Sequence, residues 1–181
     1  MPTISHATIA AHRTPARRRL TIAVGALLLS TIFVVGGSTS PATAAGPASD
    51  DWLGIVNVFR AQSGLAPVVN NPEWSAGARN HSCWMLLNTI AHDETPGTPG
   101  YTVDGDQAGN SGNVATSSNV SATAESHINL WMTGPFHAIG LLRPGLQQSA
   151  FGMCTNANTQ WKSGATLDIV RGTNWGAPKP A

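Results

Sequence analysis

Between Trp131 and Pro144 the chain reads WMTGPFHAIGLLRP, and this run narrows the available folds more than any other stretch. A large aromatic closes one segment, Gly134-Pro135 breaks it, one histidine stands in an otherwise apolar run, and Arg143-Pro144 stops that run. Proline cannot continue a preceding helix. The spacing therefore predicts a helix ending at Gly134, then a rigid turn that aims His137 toward a cavity. A lone histidine among apolar residues also fits a core or rim position, and the motif alone leaves both readings open.

The first quarter of the chain reads as an address. Arg13, Arg17, Arg18 and Arg19 form a basic region, Leu20 to Val35 is an uncharged apolar run of 16 residues, and Ala42-Thr43-Ala44 fits an A-x-A cleavage site. Residues 1–44 are expected to be a secretory signal peptide and residues 45–50 a short linker, so the mature protein is secreted. Arg17-Arg18 permits twin-arginine export as well as the general route. A retained anchor is the alternative, although the run is short for a span, and no membrane span is expected in the mature chain. Loss of four arginines leaves six cations against nine acids, a net charge of −3. No basic patch survives, so nucleic acid is not an expected partner. The expected state is a monomer.

Both cysteines, Cys83 and Cys154, lie in the exported part. An even count in an exported protein reads as a disulfide. Closing a loop of about 70 residues is worth roughly 4 kcal/mol in the chain-entropy model. Two buried free thiols are the alternative.

Along the mature chain, Trp52, Ile55, Val56 and Phe59 recur at i, i+3, i+4, i+7 behind Ser49-Asp50-Asp51, with Gly64 placed to end the helix. Asn71-Pro72-Glu73 opens a second helix carrying Trp74, Ala78, His81, Cys83 and Met85. His81 is read there as a packing or rim residue. From Ile90 to Asn119 no helical period survives, and the segment reads as a long polar loop holding His92, Asp93, Glu94, Asp104 and Asp106. A third helix follows, with Ala124, Ile128, Trp131 and Met132 inward and both Glu125 and His127 facing solvent. Ser149 to Cys154 and Thr166 to Val170 read as strands joined by a hairpin over 156–164. Residues 173–181 read as a tail from which Trp175 reaches the core. Interleaved helices and an antiparallel sheet make an α+β protein.

Three groups of residues resemble the CAP superfamily of cysteine-rich secretory proteins, antigen 5 and pathogenesis-related proteins of class 1. They are Asn57 to Arg60 with Gly64-Leu65-Ala66-Pro67-Val68, then His92-x-Glu94 ahead of PGYTVDGDQAG, and the Trp131 to Pro144 run with Phe151-Gly152. The resemblance implies a three-layer α-β-α sandwich with a small antiparallel sheet between helices, and a CAP-like domain over 51–172. It implies that Asn57 and Arg60 hold the first helix to the rest of the fold. The family's cleft carries two histidines and two acids. By resemblance the histidines are His92 and His137, whereas the acids of the G-E-N and W-x-x-E motifs fall on glycines, Gly112 and Gly134.

Glu94 is the best substitute acid. With His92 and His137 it forms the candidate catalytic or metal-ligating set, since two imidazoles and one carboxylate suit a divalent metal such as zinc. With both family acids absent, no robust peptidase activity is expected. The resemblance favours a non-catalytic binding module. A metal-dependent hydrolase is the first alternative, and binding of a lipid, sterol or cell-wall component is the second.

Overall fold

Helix α2 (Pro72–Leu87) lies directly on a sheet because the strands beneath it lack side chains where it crosses. The computed structural model describes residues 50–177. Its main sheet has three antiparallel strands in the order β2 (Gly112–Ser117), β5 (Ser163–Asp168), β4 (Phe151–Thr155). A Cβ added at Gly152 of β4 would overlap the backbone of Ala78 and Arg79, and one at Gly164 of β5 would lie 2.6 Å from the Ser82 carbonyl. Ser82 uses the closeness: its hydroxyl donates to the Ala78 and Gly152 carbonyls at 2.8 and 2.9 Å and lies 3.0 Å from the Thr166 hydroxyl.

The two faces of the sheet follow the strand period of two. Phe151 and Met153 of β4, Ala115 of β2, and Ala165 and Leu167 of β5 pack into one core. That core also takes Ile55 and Val56 from α1 (Trp52–Gln62), Ile128 and Trp131 from α4 (Ala124–Thr133), and Leu141 from α5 (Pro135–Leu141). Val114 points the other way, to Trp84 and Met85 of α2. Helices on both faces of the sheet make the expected three-layer α-β-α sandwich. Burying an aliphatic or aromatic side chain contributes about 1.5–3 kcal/mol, and the larger core takes most of these residues. A short parallel pair, β1 (Val69–Asn70) with β3 (Gln148–Ser149), joins the first loop to the chain entering β4.

Arg60 is wholly buried and fastens α1. Its guanidinium donates to the carbonyls of Ala66, Leu141, Arg143 and Leu146 at 2.7–3.1 Å. Burial lowers its pKa from the ordinary value. Asn57 exchanges two hydrogen bonds with the backbone of Val68, at 3.1 and 2.9 Å. Both residues hold the first helix to its surroundings, as the resemblance implied. Cys83 and Cys154 are disulfide-bonded, with Cα atoms 5.0 Å apart, tying α2 to β4.

Four expectations need correction. The segment from Ile90 to Asn119 is not one loop, for it holds α3 (Val103–Asn110) and β2. The inward residues of α3 are Gly105, Ala108 and Gly109, small residues chosen for close approach, which leave no apolar period to detect. The chain after Gly134 is a short helix, α5, with Pro135 at its first position. His127 is buried, not solvated: its Nε2 lies 3.0 Å from the Ser163 hydroxyl. Trp175 is 70% exposed and sits outside the core. The proposed signal peptide and its cleavage site lie outside the described residues, and among the described residues no helix is long and apolar enough to cross a membrane.

Candidate functional site

The junction between α3 and β2 is where the chemistry-bearing residues gather. His92 reaches it from the preceding loop, its Nδ1 donating to the Gly109 carbonyl at 2.8 Å. His137 reaches it from α5, where its carbonyl accepts the Asn113 side-chain amide at 3.1 Å. The ring of His92 and the main chain of His137 therefore contact residues four apart, at the end of α3 and the start of β2. The ring of His92 is exposed and that of His137 half-buried.

Glu94 does not join them. Its side chain is fully out of solvent, with Oε1 3.0 Å from His81 Nδ1 and Oε2 accepting the Thr102 N–H at 2.9 Å. The other nitrogen of His81, Nε2, lies 3.0 Å from the Ala91 carbonyl. Glu94 is thus the partner of a histidine on α2 and serves to hold the His92 loop against that helix. This corrects the expected set of His92, His137 and Glu94. Among the described residues no three His, Cys, Asp or Glu side chains are grouped to hold a metal ion. A carboxylate whose two oxygens are already bonded inside the protein does not fit a zinc ligand.

Of the two glycines that stand where the resemblance places acids, Gly112 is closed by backbone and Gly134 is crowded by the His137 ring. A Cβ at Gly112 would lie 2.9 Å from the carbonyls of both Ala108 and Leu167, and one at Gly134 would lie 2.9 Å from His137 Nδ1. Either acid would require its surroundings to move. Sequence reasoning found the glycines but could not show that the space was filled.

Beside His137 runs an apolar groove of about 310 Å³. Val114 and Ala115 of β2 form its floor, Trp131 and Leu130 of α4 one wall, and Ile90 another part of the rim. Trp131 is fixed there by its indole N–H, which donates to the Val114 carbonyl at 3.2 Å. Leu130 and Ile90 are 54% and 46% exposed, and on α5 Phe136 and Ile139 are 87% and 62% exposed. His137 is the one ionisable residue in the lining. The sequence marked its histidine, but Ile90 and Leu130 carried no signal apart from ordinary hydrophobicity.

A model of the cysteine-rich secretory protein family, CAP, matches residues 53–163. No curated protein matches the chain. Among solved structures, an extracellular protein containing an SCP domain from Bacillus anthracis str. Ames has the same fold, with a TM-score of 0.50 at 19% identity. That likeness covers 66% of this chain and 39% of the other, so the chain spans well under half the length of the protein it matches.

Proposed function

We propose that this chain, which belongs to the cysteine-rich secretory protein (CAP) family, is a secreted, non-catalytic binding module whose groove beside His137 takes an apolar ligand of the lipid or sterol class. The observation that carries the reading is the groove itself. It is lined mainly by aliphatic and aromatic side chains and holds the ring of His137, and the helix that carries His137 also exposes Phe136 and Ile139. Ligand sites commonly pair an apolar lining with a few convergent polar groups. Exposed apolar surface of this kind marks interaction sites more often than ordinary protein surface.

Hydrolysis has less support. The best candidate acid is bonded to His81, and where the resemblance places the family's acids stand two glycines, one of them, Gly112, closed in by backbone. The secreted location rests on the basic region, apolar run and A-x-A site of residues 1–44.

Titration with a fluorescent fatty acid tests the proposal. Saturable binding is expected, weakened at least tenfold by Leu130→Glu, a change at a half-exposed wall position that the fold tolerates. Absence of saturable binding, or equal binding by the variant, would overturn it.

A further inference from the structure

On a separate face, none of whose lining residues belong to the groove beside His137, two arginine–tryptophan pairs flank Thr173 and Asn174. The guanidinium carbon of Arg171 lies 4.7 Å from the ring centre of Trp74, and that of Arg143 lies 4.5 Å from the ring centre of Trp175. A depression of about 350 Å³ opens between Trp74, Arg171, Gln147 and Gln148, and a second of about 210 Å³ lies against Arg143 and Trp175. Thr173 and Asn174 line both, so the two adjoin.

The charge of Arg171 is spent inside the protein, whereas Arg143 keeps its charge on neutral acceptors beneath the Trp175 ring. Arg171 Nε donates to buried Asp168, whose other oxygen accepts the N–H groups of Val170 and Arg171 at 3.0 Å. Arg143 donates to the Ile169 carbonyl at 2.8 Å and to the Thr173 hydroxyl at 3.3 Å. Around the neutralised Arg171, hydrogen-bonding capacity remains. Arg171 Nη2 is the buried side-chain nitrogen that lacks a hydrogen-bond partner among the described residues. Gln147, Gln148 and Asn174 are exposed; the oxygens of Gln148 and Asn174 already accept from Asn71 and the Gly176 N–H, which leaves their NH₂ groups to donate. Trp175 offers a mostly exposed ring held on one face by a cation.

A rigid exposed aromatic beside planar amides and a neutralised guanidinium suits a ligand with an apolar C–H face and a ring of hydroxyls. We infer that the groove from Trp74 to Trp175 is a binding site for a neutral oligosaccharide, with Trp175 stacking on one sugar ring and Asn174, Gln147 and the Arg171 edge bonding the hydroxyls of the next. The site is fixed before binding by the cation–π contacts, so little ordering opposes association.

The full chain is titrated by calorimetry and tryptophan fluorescence with chitotetraose and cellotetraose as neutral probes and tetragalacturonate as the acidic one. Saturable binding of a neutral probe is expected, with at least a tenfold loss in Trp175→Ala and a smaller loss in Asn174→Ala. Both changes fall on exposed side chains, and unchanged melting temperatures will show that the fold survives. Failure of both neutral probes, indifference of binding to Trp175→Ala, or binding confined to tetragalacturonate and abolished by salt would each overturn the inference. Fatty-acid binding at the groove beside His137 is unaffected by any of these outcomes.

Discussion

His81 Nδ1 and Glu94 Oε1 lie 3.0 Å apart with both side chains completely removed from solvent. Ala91 C=O, facing Nε2, can only accept, so Nε2 carries a hydrogen. Oε2 accepts from Thr102 N–H. One further proton must therefore lie between Nδ1 and Oε1, on either atom, for the pair to be satisfied. Removing one member of a buried pair strands the other, at a cost of roughly 3–5 kcal/mol.

Glu94→Ala is accordingly expected to destabilise the domain by about 3 kcal/mol or more. Glu94→Gln is expected to cost much less, because its amide can donate to Nδ1 while its oxygen still accepts from Thr102. Urea unfolding of both variants checks the difference. Equal losses would show that the hydrogen-bond pattern is not what holds the loop.

Arg60→Leu leaves four carbonyls without their donor. Several orphaned buried acceptors, at about 1–3 kcal/mol each before relaxation, are expected to unfold the domain or lower its stability by more than 3 kcal/mol. Arg60→Lys is expected to recover only part of this, since an ammonium cannot reproduce the guanidinium fork. Chemical denaturation of the two variants distinguishes these outcomes; a Lys variant as stable as the parent would contradict the account.

The Cys83–Cys154 bond is expected to contribute roughly 4 kcal/mol, mainly by restricting the unfolded chain. Replacing both cysteines with serine should lower the melting temperature markedly, and a reducing agent should lower that of the parent but not of the variant. An unchanged melting temperature on reduction would mean that the bond adds nothing.

Burial lowers the pKa of His127 from its ordinary value of 6.5, so the folded protein keeps the ring neutral. The unfolded chain takes up that proton as pH falls through about 6.5, before the folded one does. In that interval the unfolded state binds more protons, and stability falls with falling pH. Above pH 6.5 the contribution is fully present. Melting curves between about pH 7 and 5 should show this slope, and His127→Gln should flatten it; an identical slope in the variant would assign the effect elsewhere.

The sequence by itself determined the family, the α+β class, the first two helices and the disulfide. Each rests on local chemistry: an apolar period at Trp52 to Phe59, a proline after an Asn cap at Asn71-Pro72, an even cysteine count, a motif around His137. Only the tertiary structure decided where Glu94 points. Its neighbours His81 and Thr102 lie 13 and 8 residues away, and their choice depends on α3 packing onto α2. That packing was itself hidden, because α2 and α3 meet at Gly77 and Gly109, and glycines chosen for close approach leave no hydrophobic pattern. His127 shows the same limit: two residues from Glu125 it reads as solvent-facing, yet β5 brings Ser163 to it from 36 residues away. Periodicity reports which side of an element is apolar. A buried polar contact depends on a partner distant in sequence, and only the folded chain supplies it.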